Sequence, residues 1–501
     1  MIRKILIANR GEIAVRVIRS CHEIGIETVA IYSEADRTSP HVLKATEAYC
    51  VGPAPSSESY LNVEKILEII QISGADAVHP GYGFLSENAK FADTIAKMGV
   101  VWIGPPSDAI ITMGDKMAAR ELAKKVNAPI IPGTTEPISS LDKAIKIADK
   151  IGYPVLIKAA GGGGGKGMRI VQSAQEIEDA INRAKSEAGK AFSDDRIYIE
   201  KYLEEPHHIE IQVFADNHGN VVSFGERECS VQRRYQKIIE ETPSPFIDDK
   251  LRKQLNETAI NITRECNYIG AGTVEFLVDK HKNLYFLEMN TRLQVEHPIT
   301  EMVNQIDLVK EQIRVADGKQ LSISQNEIHP KGHAIECRLY AEDGFNNFAP
   351  SVGNILEMDI PQGLGIRLDD GIRTGQEISP YYDPLLGKLI SWGNTRKEAM
   401  ARMIRALSEF HIVGIETTIP FCKMFIQHPR FQNGDYGTKT LEEIKEELLE
   451  TLREYSDDLN VAASIGAIQK NLLTDQSSAS NFTETKQISN WATSGRKDNL
   501  R

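Results

Sequence analysis

Polar residues recur at every second position of LYFLEMNTRLQVEHP, residues 284–298. Such alternation predicts an extended strand with one polar face, because successive side chains of a strand point to opposite sides of the sheet. A solvated sheet face is the ordinary explanation of this pattern. The predicted face carries both signs of charge and consists of Glu288, Asn290, Arg292, Gln294 and Glu296.

The segment GTVEFLV, residues 272–278, lies just upstream and is joined to this strand by the polar connection DKHKN. The two segments predict a β-hairpin in which Glu275 lies opposite Glu288, within one residue of register. Two carboxylates that face each other destabilise a sheet unless a cation lies between them. Since Mg2+ is commonly held by one or two carboxylates and substrate phosphates, the hairpin predicts a metal-nucleotide site.

The composition bounds the class of protein. The 501 residues are enough for roughly three domains, and 41% hydrophobic with 26% charged residues is typical of a globular protein. The net charge of -12 argues against general nucleic-acid binding. No apolar run suits a membrane helix or a signal peptide, so we expect a cytoplasmic protein without membrane association. The six cysteines form no CxxC pair, and reduced thiols are expected.

The polar row must be positioned by the rest of the fold. Strand-like and helix-like segments alternate over the first 110 residues, which predicts a parallel sheet wrapped by helices. The first strand-to-helix turn, residues 9–12, lacks GxGxxG, so no NAD is expected. A helix at about 114–126 and a Pro/Gly/Thr stretch predict a domain boundary. A smaller unit, a larger mixed domain that contains the hairpin, and helices from about Arg396 follow.

Five glycines at 161–165, followed by Lys166 and Gly167, lie between two predicted strands. This run does not match a Walker A loop, but its setting favours a turn whose backbone N–H groups close over phosphate oxygens. A flexible loop is the alternative. Lys116, on an earlier helix, and Lys158, at the end of the preceding strand, could reach phosphates as point charges.

Two further segments concentrate charge. CSVQRRYQKIIEE, residues 229–241, predicts either a solvated face or an anion-binding loop that includes Lys237. In HAIECRLYAED, residues 333–343, Glu336, Arg338 and Tyr340 would share a strand face, and a structural ion pair is the simpler explanation of Arg338.

Ten segments of the chain, spanning about residues 1–450, resemble the biotin carboxylase family of the ATP-grasp fold. The most specific is FLEMNTRLQVEHPITE. The others are ANRGEIAVR, HPGYGFLSEN, GDKMAAR, IKAAGGGGGKGMRIV, EKYLEEPHHIEIQV, ERECSVQRRYQK, GAGTVEFL, GHAIECRLYAED and PYYDPLLGKLI.

The resemblance implies an α/β chain with an N-terminal Rossmann-like (pre-ATP-grasp) domain at 1–113. Linker helices and a small ATP-grasp lid domain with a glycine flap would follow at 114–203. The catalytic domain and a C-terminal mixed α+β domain would occupy 204–450. We expect a helical extension and a disordered, Ser- and Asn-rich tail at 451–501.

The same resemblance implies ATP- and bicarbonate-dependent carboxylation of biotin through carboxyphosphate, as the first half-reaction of an acyl-CoA or pyruvate carboxylase. The ligands of Mg2+ (or Mn2+) would be Glu275, Glu288 and Asn290. Glu296 would be the general base and Arg338 would stabilise the biotin enolate, so that the catalytic set is Lys237, Arg292, Glu296 and Arg338. Bicarbonate and biotin would contact Tyr82, Lys237, Arg292, Gln294, Val295 and Arg338. ATP would contact Lys116, Lys158, Gly164, Gly165, Glu200, Lys201, Tyr202, Leu203, His208, Gln232, Tyr235, Glu275 and Glu288.

One position departs from the family pattern, because Tyr235 stands where many members carry His; its phenol can still donate a hydrogen bond. No Met-Lys-Met motif occurs, so the biotin is expected on a separate biotin carboxyl carrier protein, and a carboxyltransferase is a further expected partner. A homodimer is also expected, since Arg16, Arg19, Glu23 and Arg367 match positions near the family's dimer interface. The helical patch near 460–472 is a candidate docking segment.

Two other functions remain open. One is a different ATP-grasp ligase, such as a carbamoyl-phosphate-forming enzyme, although the chain has no glutaminase-like region. The other is a catalytically silent nucleotide-binding scaffold in a carboxylase complex. The final carboxyl acceptor is not expected to contact this chain.

Overall fold

The computed structural model describes residues 1–134, 136–159, 168–192, 196–344, 346–451 and 453. The chain divides into two compact units, Met1–Leu448 and Leu449–Arg501, and the elements given below belong to the first. The predicted helical patch near 460–472 and the predicted disordered tail lie outside the described residues. Within those residues, no helix combines the length and the apolar character that crossing a membrane requires.

The first region is a five-stranded sheet in the order β3-β2-β1-β4-β5, with every neighbouring pair parallel. This confirms the predicted parallel sheet wrapped by helices, because apolar faces of α1 and α3 are buried against it. Its strands are β1 (Lys4–Ile7), β2 (Glu27–Ser33), β3 (Glu47–Gly52), β4 (Ala77–His79) and β5 (Val101–Trp102). Its helices are α1 (Gly11–Glu23), α2 (Pro40–Lys44), α3 (Val63–Ser73), α4 (Ala89–Lys97), α5 (Ser107–Gly114) and, leading away from the sheet, α6 (Lys116–Lys125).

The second region is a small antiparallel sheet in the order β7-β6-β8, packed against two helices through a core of aliphatic residues. Its elements are α7 (Leu141–Ile151), β6 (Val155–Ala159), β7 (Arg169–Val171), α8 (Ile177–Phe192) and β8 (Ile197–Lys201). The glycine run belongs to the connection between β6 and β7, and the predicted flap residues Gly164 and Gly165 lie outside the described residues.

The third region is an eight-stranded antiparallel sheet in the order β13-β12-β9-β10-β11-β14-β21-β19. Helices α9 and α10 pack on it through buried aliphatic residues. Its first elements are β9 (His207–Ala215), β10 (Val221–Arg233), β11 (Gln236–Thr242), α9 (Asp249–Glu265), β12 (Gly270–Val278), β13 (Leu284–Asn290), α10 (His297–Asn304), α11 (Leu308–Ala316) and β14 (His333–Tyr340). The remaining elements are β15 (Glu342–Asp343), β16 (Ala349–Pro350), β17 (Gly353–Asn354), β18 (Glu357–Asp359), β19 (Ile366–Asp370), β20 (Glu377–Ile378), β21 (Leu385–Gly393), α12 (Arg396–Glu409), β22 (His411–Val413), α13 (Ile419–Gln427), α14 (Pro429–Asn433) and α15 (Thr440–Glu443).

The predicted hairpin is confirmed, since β12 and β13 pair antiparallel with Glu275 opposite Glu288. The predicted continuation of this strand to residue 298 is wrong, because β13 ends at Asn290. The backbone N–H of Thr291 leaves the ladder and donates to the Glu87 carboxylate at 3.1 Å. Residues 292–296 form a turn that leads into α10, whose first turn contains Pro298.

Candidate active site

A cavity of about 700 Å3 lies where the small sheet faces the eight-stranded sheet. Its walls combine residues of β6, β8, β10, β11, β12, β13, the turn at 292–296 and β14. All the described residues that we predicted to contact ATP, metal, bicarbonate or biotin line this cavity, with the exception of Tyr82. The fold therefore brings together residues that are more than 200 positions apart in the sequence.

A row of three carboxylates crosses the sheet at the cavity, because Glu210 of β9 and Glu288 of β13 are both register partners of Glu275 on β12. Glu275 and Glu288 line the cavity, whereas Glu210 is buried beside them. Glu275 accepts hydrogen bonds from Asn290 Nδ2 at 2.8 Å and Gln294 Nε2 at 2.9 Å. Burial would raise the pKa of Glu275, but the Lys237 ammonium and His208 outweigh it and hold that pKa far below its usual range. At Glu288, burial and the charge of Glu275 raise the pKa.

The chemistry of these donors fits a hard divalent cation. Glu275 and Glu288 offer carboxylate oxygens and Asn290 offers an amide oxygen, which are the ligand types that Mg2+ or Mn2+ takes. At Glu288, burial and Glu275 outweigh Lys116, His208 and Lys237 to raise the pKa, and a bound cation would add positive charge beside this carboxylate. A second group, His208, Glu210 and Glu275, has ligand atoms within 4.8 Å of one another. Lys237 already pairs with Glu210 and Glu275 there, so the first set suits the cation better.

Lys237 of β11 lies between the carboxylates. Its Nζ is 2.8 Å from Glu296 Oε1 and 3.2 Å from Glu275 Oε1, and it also pairs with Glu210. Burial would lower the pKa of Lys237, but Glu275 and Glu296 outweigh it and raise that pKa. Lys237 therefore stays charged in a buried position, as an anion-binding cation must.

Arg292 lies in the turn beyond β13. Its Nε donates to Glu87 Oε2 at 3.0 Å and its Nη2 donates to Asn290 Oδ1 at 2.9 Å. Glu87, from the first region, thus holds both Thr291 and Arg292. The guanidinium is fixed beside the predicted metal ligand Asn290 without being fully buried.

Arg338 of β14 closes the inner end of the cavity. Its Nε donates to Glu240 Oε1 at 2.6 Å and its Nη2 donates to Glu296 Oε2 at 3.0 Å. Burial would raise the pKa of Glu296, but Lys237 and Arg338 outweigh it and hold that pKa well below its usual range. The expected structural ion pair of Arg338 is present, and it is made with two residues of the cavity region.

The opposite end of the cavity has lysines over an apolar surface. Lys116 is the first residue of α6, and burial lowers its pKa. Lys158 Nζ is 2.5 Å from Glu200 Oε2, and Arg120 also pairs with Glu200. Lys201 donates to the Gly152 and Tyr153 carbonyls at 3.0 Å each. The apolar lining here is Ile131, Leu156, Met168, Ile170, Leu203, Leu277 and Leu287.

His208 and Gln232 form a linked pair beside the acidic row. His208 Nε2 is 3.0 Å from Glu275 Oε2, and its Nδ1 is 2.9 Å from Gln232 Nε2. Tyr235, which replaces the common His, lies with Arg234 in the two-residue turn between β10 and β11, and both residues have positive φ. Its ring is 62% exposed at the edge of the cavity, near Tyr202.

Tyr82 lies outside the cavity lining. Its ring centroid is 5.9 Å from Lys388 Nζ, and its hydroxyl is buried without a hydrogen-bond partner among the described residues. A contact between Tyr82 and a ligand therefore stays a prediction.

Four residues that sequence reasoning missed hold the predicted ones in place. Arg227 is completely buried and donates to Glu210, to Gln212 and, at 2.8 Å, to Gln294 Oε1. Glu240 binds Arg338, and Glu87 binds Arg292. Glu210 and Arg227 are themselves register partners on β9 and β10. For Glu210, Arg227 and Glu240 the available signal was charge at inward positions of apolar strands, which marks paired buried ions. Glu87 lies in the connection between β4 and α4, where no such signal exists.

Comparisons with known proteins agree with this geometry. Three family models match the chain: "Biotin carboxylase, N-terminal domain" at residues 1–110, "Carbamoyl-phosphate synthase L chain, ATP binding domain" at 115–324, and "Biotin carboxylase C-terminal domain" at 336–443. The chain is 52% identical over 443 residues to Biotin carboxylase 1 of Bacillus subtilis, covering 88% of this chain and 98% of that protein. This chain belongs to the biotin carboxylase family. Membership confirms the predicted ATP-grasp α/β fold and the class of ATP-dependent ligases.

Other members of the biotin carboxylase family show the same extent of match. Biotin carboxylase of Haemophilus influenzae is 50% identical over 443 residues, which is 88% of this chain and 98% of that protein. The biotin carboxylase domain dimer of Hydrogenobacter thermophilus 2-oxoglutarate carboxylase, solved with MgADP, ADP and bicarbonate, superposes with a TM-score of 0.86 at 45% identity. That match covers 90% of this chain and 99% of the other.

Proposed function

We propose that this chain carboxylates biotin, with ATP and bicarbonate as co-substrates and carboxyphosphate as intermediate. The observation that carries the proposal is that one cavity contains all of the groups this reaction needs. These groups are the cations Lys237 and Arg292, the carboxylate Glu296 and the candidate ligands of a divalent cation. No simpler nucleotide-binding role needs a buried base held between two cations.

The two ends of the cavity divide the substrates. The apolar surface beside Lys201 and Leu203 suits the adenine ring, and Lys116 and Lys158 suit the phosphates. Glu275, Glu288 and Asn290 would hold Mg2+, which neutralises phosphate charge when bound. The flap residues Gly164 and Gly165, the ribose contacts of His208, Gln232 and Tyr235, and the adenine contact of Tyr202 remain part of this proposal.

Bicarbonate would bind between Lys237 and Arg292, beside Gln294 and Val295. Attack of one anion on the γ-phosphate of another is tolerable only where cations offset their repulsion. Lys237, which is buried, and Arg292, fixed by Glu87 and Asn290, supply such charge within the cavity.

Glu296 would take the proton of bicarbonate as the C–O–P bond forms and the bond between the γ-phosphorus and the leaving ADP oxygen breaks. Its carboxylate is ionised, because Lys237 and Arg338 hold its pKa low. Once Lys237 turns to a bicarbonate oxygen, Glu296 loses part of that stabilisation and becomes a stronger base. The proton acceptor is therefore activated by the arrival of the substrate that it deprotonates.

Biotin would be carboxylated at the Arg338 end. Carboxyphosphate gives CO2 and phosphate, and the phosphate removes the proton of the ureido nitrogen. The guanidinium of Arg338 lies where it can stabilise the resulting enolate oxygen. Tyr82 would contact biotin only if its ring moved toward the cavity.

The test is ATP hydrolysis measured with and without bicarbonate and free biotin, with formation of 14C-carboxybiotin from labelled bicarbonate. We expect hydrolysis to require bicarbonate and to rise with biotin. A silent scaffold gives no hydrolysis, and a different ATP-grasp ligase gives hydrolysis that biotin does not change. Either outcome would overturn the proposal.

The remaining assignments belong to the same proposal. We propose domains at 1–113, 114–203, 204–450 and 451–501, a cytoplasmic location, a biotin carboxyl carrier protein and a carboxyltransferase as partners, and a homodimer. Within the chain, Arg16 and Arg367 both bind Glu301, at 2.8 Å each. Arg19 pairs with Asp370, and Glu23 pairs with Lys310. Light scattering of the purified chain tests the dimer.

A further inference from the structure

Lys388 of β21 is a fully buried cation immediately behind the catalytic turn. Its side chain has no exposed area, and it does not line the cavity. Its register partners in the sheet are Arg338 on β14 and Asp369 on β19, so a row of charges crosses the sheet at this point. Two cations opposite each other destabilise a sheet unless anions or carbonyl oxygens satisfy them.

The partners of Lys388 come from two other parts of the chain. Its Nζ donates to the backbone carbonyl of Val295 at 2.9 Å and lies 3.1 Å from Glu12 Oε2 in α1. Arg338 has its own carboxylates, Glu240 and Glu296. The ammonium of Lys388 therefore links the first helix of the chain to the turn that carries the bicarbonate-facing residues.

The carbonyl of Val295 is the peptide group between Val295 and Glu296. A trans peptide is planar, so a donor that fixes this carbonyl also turns the N–H of Glu296 to the opposite side. Glu296 is the N-cap residue of α10, and no side-chain hydrogen bond caps that helix. Two contacts therefore hold the 295–296 peptide: Lys388 binds its carbonyl, and the backbone N–H of His297 closes the turn around it on the Gln294 carbonyl at 3.3 Å.

A second contact also links helix α1 to the region of the turn. Arg16, one turn after Glu12 on α1, donates to Glu301 of α10 at 2.8 Å. Helix α1 thus holds both the end of the turn, through Lys388, and the helix that follows it. Burial raises the pKa of Glu12 to about 7, so this carboxylate depends on Lys388 for its charge.

We propose that Lys388 is a positioning residue for bicarbonate, because it fixes the Val295 peptide so that Gln294, Val295 and Glu296 face the substrate. The inference rests on the proposed function and extends it to a residue that does not contact the cavity. Glu12 acts through Lys388, as the counterion that lets a lysine be buried there.

The experiment compares Lys388→Met with the double variant Glu12→Gln/Lys388→Met. Lys388→Met removes the donor and leaves Glu12 as an unpaired buried acid, so we expect a lower Tm and a bicarbonate KM raised at least about tenfold. The KM for ATP should stay within about twofold, since the nucleotide end of the cavity is untouched. The double variant also removes the Glu12 charge, so part of the lost Tm should return while the bicarbonate KM stays high.

A purely structural role predicts a different result. It would be supported, and the proposal overturned, if the double variant restored the bicarbonate KM together with Tm, or if Lys388→Met left that KM unchanged. The double variant carries the test if the single variant does not fold. Arg373→Met is the matched control, because Arg373 also joins the C-terminal part of the chain to the first region, through the Thr38 carbonyl at 2.9 Å, without contacting residues 294–296. An inactive wild-type chain would instead overturn the proposed function.

Discussion

Two pairs of like charges face each other at different places in the eight-stranded sheet. Glu275 and Glu288 are partners on β12 and β13, whereas Arg338 and Lys388 are partners on β14 and β21. Within the acidic pair, Lys237 and His208 lower the pKa of Glu275, whereas burial and Glu275 outweigh the nearby cations and raise the pKa of Glu288. Each member of the basic pair has its own carboxylate within about hydrogen-bond distance, at 2.6 Å for Arg338 and 3.1 Å for Lys388.

The difference indicates what each pair is for. A like-charge pair that the protein leaves unbalanced is a place for a ligand of opposite charge. A like-charge pair that the protein neutralises internally can hold its surroundings in a fixed geometry. The acidic pair thus suits a divalent cation, and the basic pair suits the placement of Glu296 and the turn before it.

The largest expected effect is at the basic pair. Glu296→Gln keeps the shape of the side chain but removes the base and the charge between Lys237 and Arg338. We expect kcat for biotin-stimulated ATP hydrolysis to fall on the order of 1,000-fold, within the range of a lost general base. ATP affinity, measured by equilibrium binding, should stay within several-fold. Near-normal turnover would show that the basic end does not hold the base.

Glu241, the neighbour of Glu240 on β11, tests whether loss of any buried carboxylate would reduce activity as Glu296→Gln does. Glu241 accepts hydrogen bonds from His333 at 2.5 Å and from Arg396 at 2.7 Å, away from the cavity, and these partners outweigh burial to lower its pKa to about 2. Glu241→Gln should cost about 3 kcal/mol of unfolding free energy at pH 7, while KM values stay within about twofold.

The pH dependence follows from the sign of that shift. A carboxylate whose pKa is lower in the folded state stabilises it above the unfolded-state pKa and loses this contribution as the pH falls. The stability difference between wild type and Glu241→Gln should therefore shrink from about pH 4.5 toward pH 2, as urea unfolding midpoints would show. A constant difference across this range would contradict the assignment.

The third effect is at the acidic pair. Glu288→Gln removes one of the two carboxylates, so the apparent affinity for Mg2+ should weaken roughly 10–100-fold. Titration of ATP hydrolysis with Mg2+ at saturating bicarbonate measures it. Glu241→Gln serves here as the control for a buried carboxylate of the same sheet, and equal Mg2+ dependence in both variants would remove the distinction between the two regions.

The smallest effect is expected at the exposed edge of the cavity. Tyr235 is 62% exposed in a tight turn, so Tyr235→His should change the KM for ATP less than about threefold. Steady-state kinetics at fixed bicarbonate would measure the change. A tenfold change would show that the phenol contacts the nucleotide closely.

The local sequence was sufficient to predict the acidic pair, but it was insufficient to predict the basic pair. Glu275 and Glu288 are joined by a short polar connection, so the register of the hairpin follows from alternation and loop length. Arg338 and Lys388 are 50 residues apart, and their pairing depends on how the irregular strands between them fold. Glu12 and Val295, which meet at Lys388, have no local relationship at all.

The prediction that β13 continues to residue 298 was wrong for the same reason, because a distant contact decides where the strand ends. Alternation continues from Glu288 to Glu296, but the strand stops at Asn290 because Glu87, about 200 residues earlier, takes the N–H of Thr291. The residue types of the row were predictive of the site, since all five polar members line the cavity. Their backbone conformation was not, because a tertiary contact replaced the ladder.

The end of β13 at Asn290 also bears on how far this site can be separated from its host. Glu275, Glu288 and Asn290 belong to a hairpin whose register would persist on another antiparallel sheet, although Glu275 would lose its contacts with Lys237 and His208. Arg292, Gln294 and Glu296 follow a turn that depends on Glu87, on Lys388 and, through Lys388, on Glu12. A transplanted hairpin would therefore retain the proposed cation-binding residues, but the turn that carries the bicarbonate-binding residues would lose the contacts that fix its conformation. The first 110 residues contribute no residue to the lining of the cavity. The bicarbonate half of the site nevertheless requires them, because Glu87 and Glu12 hold the turn in place.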